Sequence, residues 1–439
     1  MKEQKFALIL NGTRCVLESF YLTLFVMIFG LLCWFFEWTS LVVIVFAVVF
    51  ILVLLFAKDL KNMFAPLLYI SFFIPDIRKM TDYTVYFVVV GLAVATLLGF
   101  FIVKVIKNRK NANYGRLAVG LLACSLAFVL GGIFISFNWL NSLMIFGFCL
   151  AIYILYYISV NHTTNLKEYL EKLFIIGGFI VCFQVVYFVQ TTEMQSFFSA
   201  QGVNTAALFI VLGIIACFTM ALKAKLDFVF YIFALILSAL VVFTKCRVGM
   251  FLAVIFDVFF TVILFVKAKH KKTILLTLLV VLVAFIIAYL LSGEFKEFVQ
   301  STIFGKKGLS GREKLWTWCL ELFREEPVMG YGFFYDGEVP TLRTGSSVIL
   351  AHNTLVQWIA CLGIIGCAFM IVFYINKYLI LFKGFNLNNL FALSCVIMLE
   401  MSGMLDQAAN MDVFVVLISI LLVASNEKQE KVLKETQIA

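Results

Sequence analysis

Along most of this chain the apolar residues come in long runs, each close to the ~20 residues an α-helix needs to cross a bilayer. Candidate spans cover residues 15–36, 41–57, 83–105, 117–137, 140–160, 173–190, 203–222, 228–243, 248–266 and 274–291. After a polar interval they resume at 354–375, 387–405 and 413–424. One run, 63–74, is too short to cross comfortably, yet the Lys residues on either side of it require one more crossing here. Pro66 falls in its first turn and Pro75 just past its end, positions a short helix tolerates. Such a piece has to be buried among neighbours, with the charged stretch Asp76–Lys79 at its external end. The pattern predicts an all-α, polytopic transmembrane bundle of about 12–14 spans.

The polar interval is the exception that organises the rest. It divides the chain into an N-terminal bundle (1–292), a large loop (293–352), C-terminal spans (353–425) and a tail (426–439). Within the loop, Leu315, Trp318, Cys319, Leu322 and Phe323 recur at three and four residues, with Glu313, Thr317, Glu321 and Arg324 on the opposite stripe. That is an amphipathic helix. Ser310 and Glu313 have capping-box spacing at its start, and Pro327 and Gly330 end it. Trp316 and Trp318 suit it to the bilayer interface.

Composition agrees with a membrane protein: 64% of the 439 residues are hydrophobic and 13% charged, against about 45–50% and 25% in soluble domains. No cleavage-type small-residue pattern precedes Cys15, so the first run is expected to remain as a span. The net charge of +9 raises the question of a nucleic-acid partner, and the distribution answers it. Outside the loop, Lys and Arg gather in alternate connections, from Lys58 and Lys61 to Lys377 and Lys383. The opposite connections hold Arg78, Lys79, Lys245 and Arg247. This bias puts both termini in the cytoplasm and the large loop outside, with no nucleic acid implied. The 11 cysteines show no Cys-x-x-Cys spacing, and most sit inside apolar runs, which argues against metal or redox chemistry at cysteine. Cys246 and Cys319 both fall on the external side, but nothing in the sequence fixes their distance, so a disulfide between them is not expected.

Four polar features carry candidate chemistry. Arg312 occupies the first turn of the loop helix, where free amides and the helix dipole favour an anion and a guanidinium adds a bidentate grip on phosphate. Its alternative is a solvated surface arginine. Arg247, with Lys245, lies in a short external hairpin against the inside bias, which suggests an anionic ligand; snorkelling to lipid phosphate is the alternative. His352, followed by Asn353, stands where the loop re-enters the apolar region and has the chemistry to take a proton from a sugar hydroxyl. The other two histidines, His162 and His270, lie among polar residues and are expected to be solvated. Glu18, Gln184, Asn204, Glu400 and Asp406 are polar residues in or beside spans, with Glu400 the deepest.

In their order and spacing these motifs resemble the bacterial O-antigen ligase and O-antigen/capsule polymerase superfamily of membrane glycosyltransferases. The matching residues are Thr244–Gly249 with Arg247, Ser310-Gly311-Arg312 leading to Trp316, Pro327 with Gly330-Tyr331-Gly332, and His352-Asn353-Thr354-Leu355 with Gly363 and Gly366. The resemblance covers mainly 247–366; elsewhere only hydropathy and helix number agree. It implies transfer of a glycan from an undecaprenyl-diphosphate carrier to an acceptor hydroxyl at the outer face of a bacterial cytoplasmic membrane. Arg247 and Arg312 would hold the diphosphate and His352 would activate or orient the acceptor, with Ser310, Asn353 and Lys245 in support. Arginines would replace a metal, so no metal or other cofactor is expected. A chain-length regulator and a flippase are the implied protein partners.

Repeat-unit polymerisation is the favoured reading, with ligase-type transfer to a lipid or protein acceptor beside it. A metal-dependent phosphosugar transferase would use Glu37, Asp76 and Asp82, and a transporter would use Glu18, Glu400 and Asp406.

Overall fold

The structure is a computed structural model that describes residues 11–74, 83–107, 113–135, 139–191, 202–225, 227–293, 296–297, 300, 312–333, 351–383, 385–386, 390–405 and 413–438. Every regular element among them is helical. By length and composition nine of these helices are able to cross a membrane, ten if the bent pair Asn11–Glu18 (α1) and Phe20–Phe35 (α2) is one span. Two shorter apolar helices, Ala118–Leu130 and Leu390–Met404, coincide with two further predicted spans. The protein is a polytopic helical bundle, as its hydropathy pattern predicts.

Two compact units are described separately. The first comprises Met1–Asn113 and Tyr157–Ile287. In it are α1, α2, α3 (Thr39–Phe56), a short broken helix around α4 (Phe64–Tyr69) and α5 (Tyr83–Lys107). Past the end of α7 (Trp139–Asn161) follow α8 (Leu166–Thr191), α9 (Val203–Ala221), α10 (Asp227–Leu240), α11 (Arg247–Lys267) and most of α12 (Lys271–Leu291). Helix α9 is its core: every residue from 206 to 219 is buried, as an all-round apolar sequence requires. Helices α8, α10 and α11 pack on it. By contrast, α12 buries only Ile274 and turns its other apolar side chains outward, the condition of a lipid-facing helix.

The short run at 63–74 is folded as two 3-10 turns, Lys61–Met63 and Ile70–Phe72, flanking α4. Its twelve residues give roughly 18–24 Å of helix, less than the ~30 Å hydrocarbon thickness. As expected, it is buried: Met63, Phe64, Leu68, Tyr69 and Phe72 have no exposed surface. Side chains satisfy its ends. Asn62 donates to the carbonyls of Leu17 and Ser19 at 2.8 and 2.7 Å, and Gln184 donates to Phe72 O at 2.9 Å. Pro75 and the charged stretch Asp76–Lys79 lie outside the described residues.

Several polar residues find partners that sequence spacing does not reveal. His270 is held by Asp227, whose carboxylate takes the imidazole Nδ1 at 2.6 Å and accepts the Lys269 and His270 amides. His162 packs edge-on against Phe100. His162 is therefore half-buried against a ring that lies across the fold, whereas His270 stays exposed to solvent, as expected, while it pairs with Asp227. Glu18 accepts the Lys58 amide at 2.7 Å, tying α1 to the end of α3. Cys246 and Cys319 are both free thiols, so the disulfide is not formed.

The second unit comprises Tyr114–Tyr156 and Ala288–Ala439. Its helices are α6 (Ala118–Leu130), most of α7, α13 (Arg312–Glu325), α14 (Thr354–Phe382), α15 (Leu390–Leu405) and α16 (Val413–Ile438). Helix α14 is the spine, with α6, α13, α15 and α16 packed on it. Lys377, a cytoplasmic charge by sequence, is buried in α14 and paired with Glu400 of α15, which also accepts from Tyr374 Oη at 2.6 Å. A removal from water that would strand one charge is met by its opposite.

Candidate active site

Three structural features surround the polar residues singled out in the second unit. The first is α13. It is described from Arg312 to Glu325; Ser310 and the capping box expected of it lie outside the described residues. Leu315, Cys319 and Leu322 form its buried stripe against α14, while Glu313, Thr317, Glu321 and Arg324 are exposed. Burial pushes the Cys319 thiol up to about 12, so it packs as a neutral apolar group. Trp316 is half-buried, and its indole N–H donates to Ala351 O at 2.8 Å. The periodicity that finds this helix does not reveal that bond, since it reaches 35 residues along the chain.

The second feature is a break in α14. At Gly363 the backbone adopts φ 60°, ψ −167°, a region almost closed to other residues. The turn after α13 fills the gap. Ile364 and Ile365 donate to the carbonyls of Pro327 and Val328, and Tyr331 and Gly332 donate to those of Ala360 and Cys361, at 2.8–3.1 Å. The helix ends exposed by the break are thus satisfied by backbone from the loop. Small residues are required for this approach: a Cβ at Gly363 would lie 2.5 Å from Val328 O, and one at Gly330 2.6 Å from Cys361 C. Gly132 joins from α6 by donating to Met329 O at 3.0 Å. Sequence reading found Gly330, Gly332 and Gly363 but missed Gly131 and Gly132, which stand in an ordinary apolar run.

The third is the loop 351–353. His352 has φ 49°, a left-handed conformation costing about 1–2 kcal/mol for an L-residue and one that histidine adopts more often than most. Asn353 is the N-cap of α14, its Oδ1 accepting from Leu355 N and Val356 N at 3.0 and 3.1 Å. A cap of this kind is worth about 0.5–2 kcal/mol. Its Nδ2 also donates to Met404 O of α15 at 2.9 Å.

Trp316 stands one turn beyond Arg312, so the two side chains share a face of α13. The bond from Trp316 to Ala351 therefore gathers the start of α13 and the His352 loop at one corner of the unit.

In the first unit, Arg247 is the first residue of α11. Cys246 is the N-cap, its sulfur accepting from Gly249 N at 3.4 Å, and Thr244 Oγ1 accepts from Cys246 N at 3.2 Å. Lys245 precedes them in a left-handed conformation at φ 51° and is exposed. Gly249 lets α11 meet α9, since a Cβ there would be 2.5 Å from Ala207 Cβ. Arg247 and Arg312 share one electrostatic peculiarity. Each puts a cation at the positive end of a helix, unfavourable by about 0.3–1 kcal/mol, and an anion bound there would reverse the sign. Among the described residues there is no grouping of three His, Cys, Asp or Glu side chains able to hold a metal.

The fold defines a class: a multi-pass helical membrane protein whose polar loop elements are built into its transmembrane helices. Residues 232–371 match the family model described as O-antigen ligase, a stretch that includes Arg247, Arg312 and His352. Over that stretch the match supports the resemblance to the O-antigen ligase/polymerase superfamily of membrane glycosyltransferase-like enzymes. A search of the curated proteins returns no match.

Proposed function

We propose that this protein joins undecaprenyl-diphosphate-linked oligosaccharide repeat units into a surface polysaccharide, at the outer face of a bacterial cytoplasmic membrane. An acceptor sugar hydroxyl attacks the anomeric carbon of the donor glycan, the bond from that carbon to the diphosphate breaks, and undecaprenyl diphosphate leaves. His352 takes the hydroxyl proton or orients the hydroxyl, a contribution of roughly 10²–10⁴ in rate. Arg312 holds the diphosphate and stabilises the charge that grows on it, with Ser310 and Asn353 in support. The same role is proposed for Arg247, with Lys245, on the sequence resemblance. No metal takes part in this scheme.

The observation that carries the reading is the Trp316–Ala351 hydrogen bond, which supports it by joining the Arg312 end of α13 to the loop of His352. The Lys and Arg bias supports an external loop at 293–352 and cytoplasmic termini. Ligase-type transfer would use the same residues and differ in acceptor. A transporter is disfavoured by the pairing of Glu400 with Lys377 and Tyr374, which gives that carboxylate a structural partner. Replacing both charges, Lys377→Met with Glu400→Leu, should leave polymer formation intact; a transporter would lose its activity.

Lipid-linked repeat units accumulated by cells lacking this protein provide the test substrate. Purified protein in nanodiscs should convert them to a ladder of products, unaffected by EDTA. A single transfer product would identify a ligase, and dependence on a divalent ion would refute the arginine scheme.

A further inference from the structure

We propose that Trp316 and Asn353 are positioning residues that hold the His352 imidazole in one direction by gripping the backbone on either side of it. The inference rests on the reading of His352 as the group that meets the acceptor hydroxyl; it adds Trp316 to that reading and gives Asn353 a defined part in it. The residue before His352 offers its carbonyl to Trp316 Nε1 of α13 at 2.8 Å. The residue after it caps α14 and donates to Met404 O of α15 at 2.9 Å. Three helices thus converge on three consecutive residues.

Between these tethers His352 is held at φ 49°, outside the ordinary range for a residue with a Cβ. A residue keeps such a conformation when its surroundings over-determine it, and these clusters belong to sites where geometry is part of the mechanism. The tethers fix the Cα–Cβ direction of His352. Releasing one lets the backbone relax and swings the ring away from its target, where a misplacement of about 1 Å costs up to 10²-fold in rate.

The chain has three histidines, so ¹⁵N-histidine-labelled protein gives a simple imidazole spectrum, with His352→Gln supplying the assignment. Trp316→Phe keeps the ring and removes the donor; Asn353→Asp keeps the cap acceptor and removes the donor to Met404. Each should shift or broaden the His352 resonances while leaving those of His162 and His270 in place. With extracted lipid-linked repeat units, kcat should fall about tenfold while KM stays within twofold. If Trp316→Phe misfolds, Asn353→Asp decides. Unchanged His352 resonances in a folded variant overturn the proposal, whatever the rate does. Shifted resonances with an unchanged kcat, or a rise in KM alone, overturn it as well. The reading beneath it fails separately, through polymer formation by His352→Ala.

Discussion

Two apolar segments of this protein are interrupted helices, and they are closed by different means. The piece around α4 is sealed by packing: its aromatic side chains are fully buried, and Asn62 and Gln184 reach its ends. In α14 the break at Gly363 is sealed by backbone, with four hydrogen bonds to the Pro327–Gly332 turn. Side-chain closure makes the first a self-contained structural plug. Backbone closure makes the second a joint between a membrane helix and the loop that carries Arg312. An interruption sealed by a distant loop transmits position to that loop, and this is where the candidate chemistry lies.

Substitution at the backbone joint should have the largest effect. Gly363→Ala adds a Cβ 2.5–2.6 Å from backbone atoms of Val328 and Gly330, which cannot swing aside, in a conformation strained for alanine. A loss of about 3 kcal/mol or more is expected, read as a collapse of the thermal transition in nanodiscs. If Gly363→Ala melts like the native protein, the joint is looser than described.

The corresponding test on the packed piece is Gly177→Ala, whose Cβ would fall 2.0 Å from Tyr69 Oη. Here the obstacle is a side chain, though a fully buried one, so about 1–3 kcal/mol should be lost. Adding Tyr69→Leu should recover part of it, because the two changes share one contact. Strict additivity would show that the clash is relieved some other way.

How far the sequence reveals all this depends on the range of each interaction. Local periodicity suffices for the spans and for the buried stripe of α13, because burial repeats with the helix turn. Pro66 and the shortness of its run mark the broken helix, and Gly363 sits in a recognisable motif. The partners were not legible: Trp316 with Ala351, Asn353 with Met404, Asp227 with His270 and Lys377 with Glu400 each join separate elements, and nothing in the spacing pairs them. Lys377 is the clearest case. Counted among the cytoplasmic charges by its place in the chain, it is buried beside an acid on the next helix.

The smallest effect is expected at Cys319, which reports how firmly α13 sits on α14. With its thiol pushed up to about 12 by burial, it should stay protonated at pH 8 and resist a membrane-impermeant maleimide until the protein unfolds. The sign follows from the raised value. The favourable burial of the neutral thiol is complete below its ordinary pKa near 9 and is lost as pH rises toward 12, so α13 should loosen only in strong alkali. Rapid labelling at pH 8 would mean that the helix lifts off its seat.

The claim on which the rest depends is that Arg312 and His352, with Arg247, carry out glycosyl transfer. Cells lacking the native protein and supplied with Arg247→Ala, Arg312→Ala or His352→Ala provide the direct measurement, made on surface polysaccharide by gel with membrane insertion checked by immunoblot. Each variant should reach the membrane in normal amount and yield no polymer. Long polymer from all three would contradict the account.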